Sequence, residues 1–158
     1  MKYDRTVFGH AIIDVHGQHP MTRVIVIHSL EHARAALTAA AQLRVAVILL
    51  SAEGAAGNAG PLWFVELIKA AEEEFPSAKF AAVLDCGDAP GYALAALRAG
   101  CSSICFRGKP AVSAKIKAIA RHYGAVLHMG KVANSGKALD LAGESDPLTA
   151  CRKWLSQR

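Results

Sequence analysis

The feature that most constrains this chain is a recurring couplet. A short apolar run ends on a polar group, and an alanine- and leucine-rich stretch of helical period follows it. The runs at 23–27, 44–50, 80–84 and 103–106 suit strands of a parallel sheet, buried on both faces. Between them, 30–43, 61–75 and the stretch from Pro90 to Gly100 read as helices, with Ser29 as an N-cap, Pro90 in a first turn and Gly100 as a C-cap. A further helix is expected at 115–122 and short strands at 7–15 and 125–127. Strand and helix alternate at a spacing of roughly 25 residues, which implies parallel βα units joined by right-handed crossovers.

The expected architecture is therefore one α/β domain with a mainly parallel sheet of about five βα units. Residues 1–20 form an N-terminal extension, 131–147 a flexible loop rich in Gly, Ser, Asn and Lys, and 148–158 a terminal helix. With 158 residues, 53% of them hydrophobic, the chain can bury a real core. No apolar run nears the roughly 18 residues that cross a bilayer, and residues 1–20 carry acidic side chains rather than a signal sequence. A cytoplasmic protein is the expectation. Four cysteines in no spaced framework, Cys86, Cys101, Cys105 and Cys151, fit reduced buried thiols.

The net charge of +5 is uneven: −2 over residues 1–106 and +7 over 107–158. Such a skew can mark an anion-binding surface, but no aromatic and basic residues interleave as a nucleic-acid platform requires. His10, His16 and His19 lack the regular spacing of a ligand pair and read as surface residues. Ser51 opens a small-residue loop, 51–60, whose three glycines would let backbone amides approach an anion. It matches neither the P-loop nor the dinucleotide pattern.

Chemistry concentrates in residues 79–109, KFAAVLDCGDAPGYALAALRAGCSSICFRGK. A carboxylate at Asp85, at the buried end of a strand, is costly without a partner, and Arg107 at the end of the next strand is the geometric candidate. The pair has two readings: an ion pair closing the sheet end, or an anion pocket of Arg107, Lys109, Ser51, Gly54 and Ala55 with Asp85 as base.

Four segments together resemble the first half of a class II fructose-bisphosphate aldolase: AALTAAAQLRVAVILL with the following Ser51 and Gly54-Ala55, LDCGDA at 84–89, ALRAGCSSICFRGK, and ARHYGAVLHMG. The resemblance implies a stretch of TIM-barrel wall, with an open three-layer flavodoxin-like sheet as the alternative. It also implies that Asp85 occupies the position of the family's proton donor and acceptor, and that Cys86 occupies that of a zinc-binding histidine. In the corresponding segments Arg107 replaces an Asp, Lys109 a Ser and His128 a Glu. The chain ends before the strands that would supply two further zinc histidines, and a complete barrel takes about 250 residues.

Loss of the metal and of aldolase chemistry is the resulting expectation; the alternative is a zinc held by Cys86 and His128, with His28 as a third ligand. A second resemblance, of 47–110 to a response-regulator receiver ending in Lys109-Pro110, lacks the phosphoacceptor aspartate: that strand ends in Ser51. Function is expected to be that of a non-catalytic aldolase-like module that self-associates as a homodimer or binds a protein partner. A small lyase, or a binder of a phosphorylated small molecule, is the competing reading.

Overall fold

A computed structural model describes residues 23–130, 132 and 138–157. The expected strand at 7–15 and His10, His16 and His19 lie outside the described residues. The elements are β1 (Arg23–Ile27), α1 (Leu30–Leu43), β2 (Val47–Ser51), α2 (Ala55–Asn58), α3 (Pro61–Glu74), β3 (Phe80–Asp85), α4 (Pro90–Ala99), β4 (Ser103–Phe106), α5 (Pro110–His122), β5 (Val126–Met129), β6 (Ala138–Asp140) and α6 (Pro147–Ser156).

Local chemistry sets these bounds. The Ser29 hydroxyl accepts a hydrogen bond from the His32 amide and starts α1. Prolines occupy the first turns of α3, α4, α5 and α6, where a missing N–H costs nothing. Gly100 ends α4 in the left-handed region at φ 97°, as expected, and its amide reaches Ala96 and Leu97 carbonyls. A side chain at Gly100 would meet nothing within 4 Å, so Gly100→Ala isolates the backbone penalty. We expect a loss of about 1–2 kcal/mol by chemical denaturation; an unchanged midpoint would show that the cap is not under conformational demand.

Among the described residues six strands form the sheet, all parallel, in the order β5-β4-β3-β2-β1-β6. Five follow sequence order, and β6 adds to the free side of β1. Among the described residues the end strands are not neighbours, so the sheet they form is not closed. The expected mainly parallel α/β sheet is present, one strand larger than anticipated. Among the described residues the helices lie against one face. Their buried side chains join Ile25, Ile27, Leu49, Leu84, Ile104 and Leu127 in a single core. The alternate strand positions, Val24, Ile48, Leu50, Val83 and Cys105, form a second, smaller cluster with Val132. Among the described residues, one helical layer over an open parallel sheet is consistent both with a stretch of barrel wall and with an open sheet.

Three expectations need correction. The segment expected to be a flexible loop, 131–147, contains β6, and Leu141 just beyond it is fully buried in the main core. The loop 51–60 contains the one-turn helix α2. Helix α5 begins at Pro110, five residues before the expected start, because Pro110 serves as its first helical residue. Helix α6 packs beside β1, where Trp154 Nε1 donates to the Val24 carbonyl (3.2 Å) and Arg23 stacks over the Trp154 ring.

Candidate functional site

Parallel strands all release their polar ends on one side of the sheet, where α/β folds gather functional groups. Here those ends carry His28 after β1, Ser51 of β2, Asp85 of β3, Arg107 after β4 and Asp140 of β6. Asp85 is the hub. Its Oδ1 accepts from the Gly54 amide (3.0 Å) and the Gly87 amide (2.9 Å), and its Oδ2 from Arg107 Nη1 (2.7 Å) and the Cys105 thiol (3.4 Å). Its own amide donates to Ser51 Oγ (2.8 Å), whose hydroxyl donates to the Ala52 carbonyl. The carboxylate thus has donors on both oxygens, and with its backbone amide Asp85 ties β2, β3, β4 and the residue before α2 together.

Burial by itself pushes the Asp85 carboxyl upward. The Arg107 guanidinium and the two glycine amides more than offset it and hold the group below the ordinary aspartate range. The Arg107 guanidinium is correspondingly raised, first by that same hydrogen bond. Its Nη2 lies 3.4 Å from Glu53 Oε1, and Glu53 is 67% exposed.

A cleft of about 280 Å³ opens beside this hub. Val26, Leu50 and Val132 supply its apolar lining; His28, Glu53, Asp85 and Asp140 supply polar groups. His28 Nε2 is 2.6 Å from Asp140 Oδ1, which also accepts the Ala142 amide (2.9 Å). The backbone N–H of His28 donates to His32 Nδ1, which places the proton of a neutral His32 ring on Nε2. Burial first, and then the neighbouring His28, lowers the His32 ring. Asp140 and Glu53 escaped the sequence analysis. The former sits in a three-residue strand within a Gly- and Lys-rich stretch. The latter's partner lies two βα units away.

Ser51, Gly54, Asp85 and Arg107 converge as expected. Ala55 starts α2 and is buried in the main core. Lys109 is the exposed residue preceding α5, and no hydrogen bond or ion pair joins it to the Asp85 cluster. Cys86 and His128 do not converge. Cys86 is 1% exposed and packs in the helix-side core, its thiol directed at the Leu84 carbonyl. His128 projects from the other face of the sheet and pairs through Nε2 with Ser103 Oγ at 3.2 Å. Adjacent strand residues point to opposite faces, so Asp85 and Cys86 cannot serve one site.

The family model described as fructose-bisphosphate aldolase class-II matches residues 16–131, well over half of the chain. The chain belongs to the class II fructose-bisphosphate aldolase family. A comparison with curated proteins found no match.

Class II aldolases usually use zinc, and the residues here do not fit it in the family's position. Burial, followed by the neighbouring Cys101 and Asp85, pushes the Cys86 thiol up to about 12. Zinc takes the thiolate. No group of three His, Cys, Asp or Glu side chains is placed to hold a metal ion among the described residues. Likewise, no helix among them is long and apolar enough to cross a membrane.

Proposed function

We propose that this aldolase-family chain has turned the family's proton-transfer aspartate into a structural clamp, and that it works by association, first with a second copy of itself, rather than by aldol cleavage. The observation that carries the reading is the Asp85 carboxylate with four donors around it, one of them the Arg107 guanidinium. A general acid or base works best with its proton affinity near the operating pH; this environment drives the group the other way. The four buried cysteines suit a reducing, cytoplasmic setting.

The direct experiment is an aldol-cleavage assay on sugar bisphosphates with zinc supplied, beside sedimentation analysis of the same protein. No turnover and a dimeric mass are expected. Zinc-dependent turnover that disappears in Asp85→Ala would overturn the reading.

One contact favours a second reading, in which the cleft holds a phosphorylated small molecule. Arg107 Nη2 meets the exposed Glu53 at 3.4 Å, a longer contact than the 2.7 Å bond to Asp85. An incoming phosphate could replace Glu53 and leave the clamp intact. On this reading Glu53→Gln removes a competing negative charge. The thermal shift given by sugar phosphates should then grow in that variant and vanish in Arg107→Ala. Equal, negligible shifts in wild type and Glu53→Gln would dismiss a phosphate site.

A further inference from the structure

Charge is sorted across the helical layer. Helix α4 packs between α3 and α5. On α3 the exposed charges are acidic except for Lys69: Glu66, Glu72, Glu73 and Glu74. On α5 they are basic, Lys115, Lys117 and Arg121, and no Asp or Glu occurs in the sequence between Asp88 and Asp140. The width of α4 separates the two sets within one copy. Glu74 is already held by Arg34 of α1. Among the described residues Glu66, Glu72, Lys115 and Arg121 enter no ion pair. Between the two sets, α4 carries one charge, Arg98, and leaves Gly91 and Tyr92 exposed and Ala95 and Ala99 half-buried. The Tyr92 ring lies against α2, where a Cβ on Gly57 would come within 2.7 Å of it.

We propose that the outer face of α3, α4 and α5 is where a second copy of this chain docks, about a two-fold axis running along α4. This names the interface for the association proposed above and rests on it. Charge complementarity selects both the occupant and its orientation. Crossovers between successive parallel strands make α3, α4 and α5 run in the same direction from the same end of the sheet. An axis along α4 therefore lays α3 opposite the partner's α5, and α5 opposite the partner's α3. Both helices begin on a proline; Glu66 and Lys115 are each the sixth residue, and Glu72 and Arg121 each the twelfth. Glu66 thus meets Lys115 of the partner subunit, and Glu72 meets Arg121 of the partner subunit. Each pairing occurs twice, as an isologous interface requires. An axis across the helices would instead set α3 against α3 and α5 against α5, like charge on like, which opposes association. At the centre, the short side chains of Ala95 and Ala99, with Gly91, let the two α4 helices approach, and Tyr92 supplies contact area.

Sedimentation velocity over a range of concentrations, at low and at high salt, tests this on the full 158-residue chain. Wild type should sediment as a dimer whose Kd rises about tenfold or more as salt is raised from about 0.05 to about 0.5 M. Lys115→Glu combined with Arg121→Glu makes both pairings repulsive and should yield monomers. Both side chains are exposed, so the circular-dichroism spectrum should not change. Glu66→Lys combined with Glu72→Lys should have the same effect. All four substitutions together exchange the two charge sets at constant net charge, and should restore the dimer to within about threefold of the wild-type Kd. Lys153→Glu, exposed on α6 away from this face, should remain dimeric. A monomeric wild type would overturn both the association and its interface. A dimer indifferent to either double reversal, or one that the fourfold exchange fails to restore, would overturn this interface alone.

Discussion

Replacing Asp85 with alanine should destabilise the protein by about 3 kcal/mol, the cost of breaking a largely buried ion pair. In a chain of this size that is a melting-temperature drop of about 6–12 °C. The substitution leaves the Arg107 guanidinium, only 21% exposed, with the solvated Glu53 as its remaining carboxylate. It also strands the Gly54 and Gly87 amides. Cys86→Ala, one residue on, removes a small buried side chain whose thiol makes a long 3.7 Å contact to a backbone carbonyl. It should cost about 1 kcal/mol.

The sign of the pH dependence follows from the depressed Asp85 carboxyl. Its contribution is present above the ordinary aspartate range and disappears as pH falls through the folded-state value. The gap in melting temperature between wild type and Asp85→Ala should therefore close below about pH 4. A double-mutant cycle with Arg107→Ala should show strong coupling. Equal melting temperatures for Asp85→Ala and Cys86→Ala would contradict the clamp.

Leu141→Ala should cost about 3 kcal/mol, the usual range for a fully buried leucine being about 2–5 kcal/mol. Leu141 is 0% exposed, follows β6 directly, and its amide donates to the Val26 carbonyl at 3.1 Å. It joins the main core, which also holds Cys151 and Leu155 of α6, so the substitution leaves a cavity in that core. Leu62→Ala removes the same side chain from a site 63% exposed and should change the denaturation midpoint little. A Leu141→Ala midpoint as high as that of Leu62→Ala would mean that β6 and its continuation are not integral to the fold.

Elements with a strong local signal were legible in the sequence. Arg23–Ile27, Leu30–Leu43 and Ser103–Phe106 fall where β-branched runs, the Ser29 cap and the following glycine or polar residues place them. The Asp85–Arg107 pair was legible because neighbouring parallel strands end side by side and an interior carboxylate needs a cation. Strand β6 was not, since three residues carry no period and their pairing with β1 is set by distant contacts. His28 and Asp140 are 112 positions apart, and no local pattern links them. The separation of Cys86 from His128 was available in principle: strict alternation along β3 turns Cys86 away from the side that Asp85 faces. Treating strand ends as points rather than as two-faced ribbons concealed it.

The clamp is tested most directly by following the Asp85 side-chain carboxyl carbon through an acid titration by NMR. A midpoint below that of an ordinary aspartate, moving upward in Arg107→Ala, is the result this account predicts. A midpoint raised toward neutrality and indifferent to Arg107 would contradict it, since such a carboxyl would be held for proton transfer and not for holding the sheet end together.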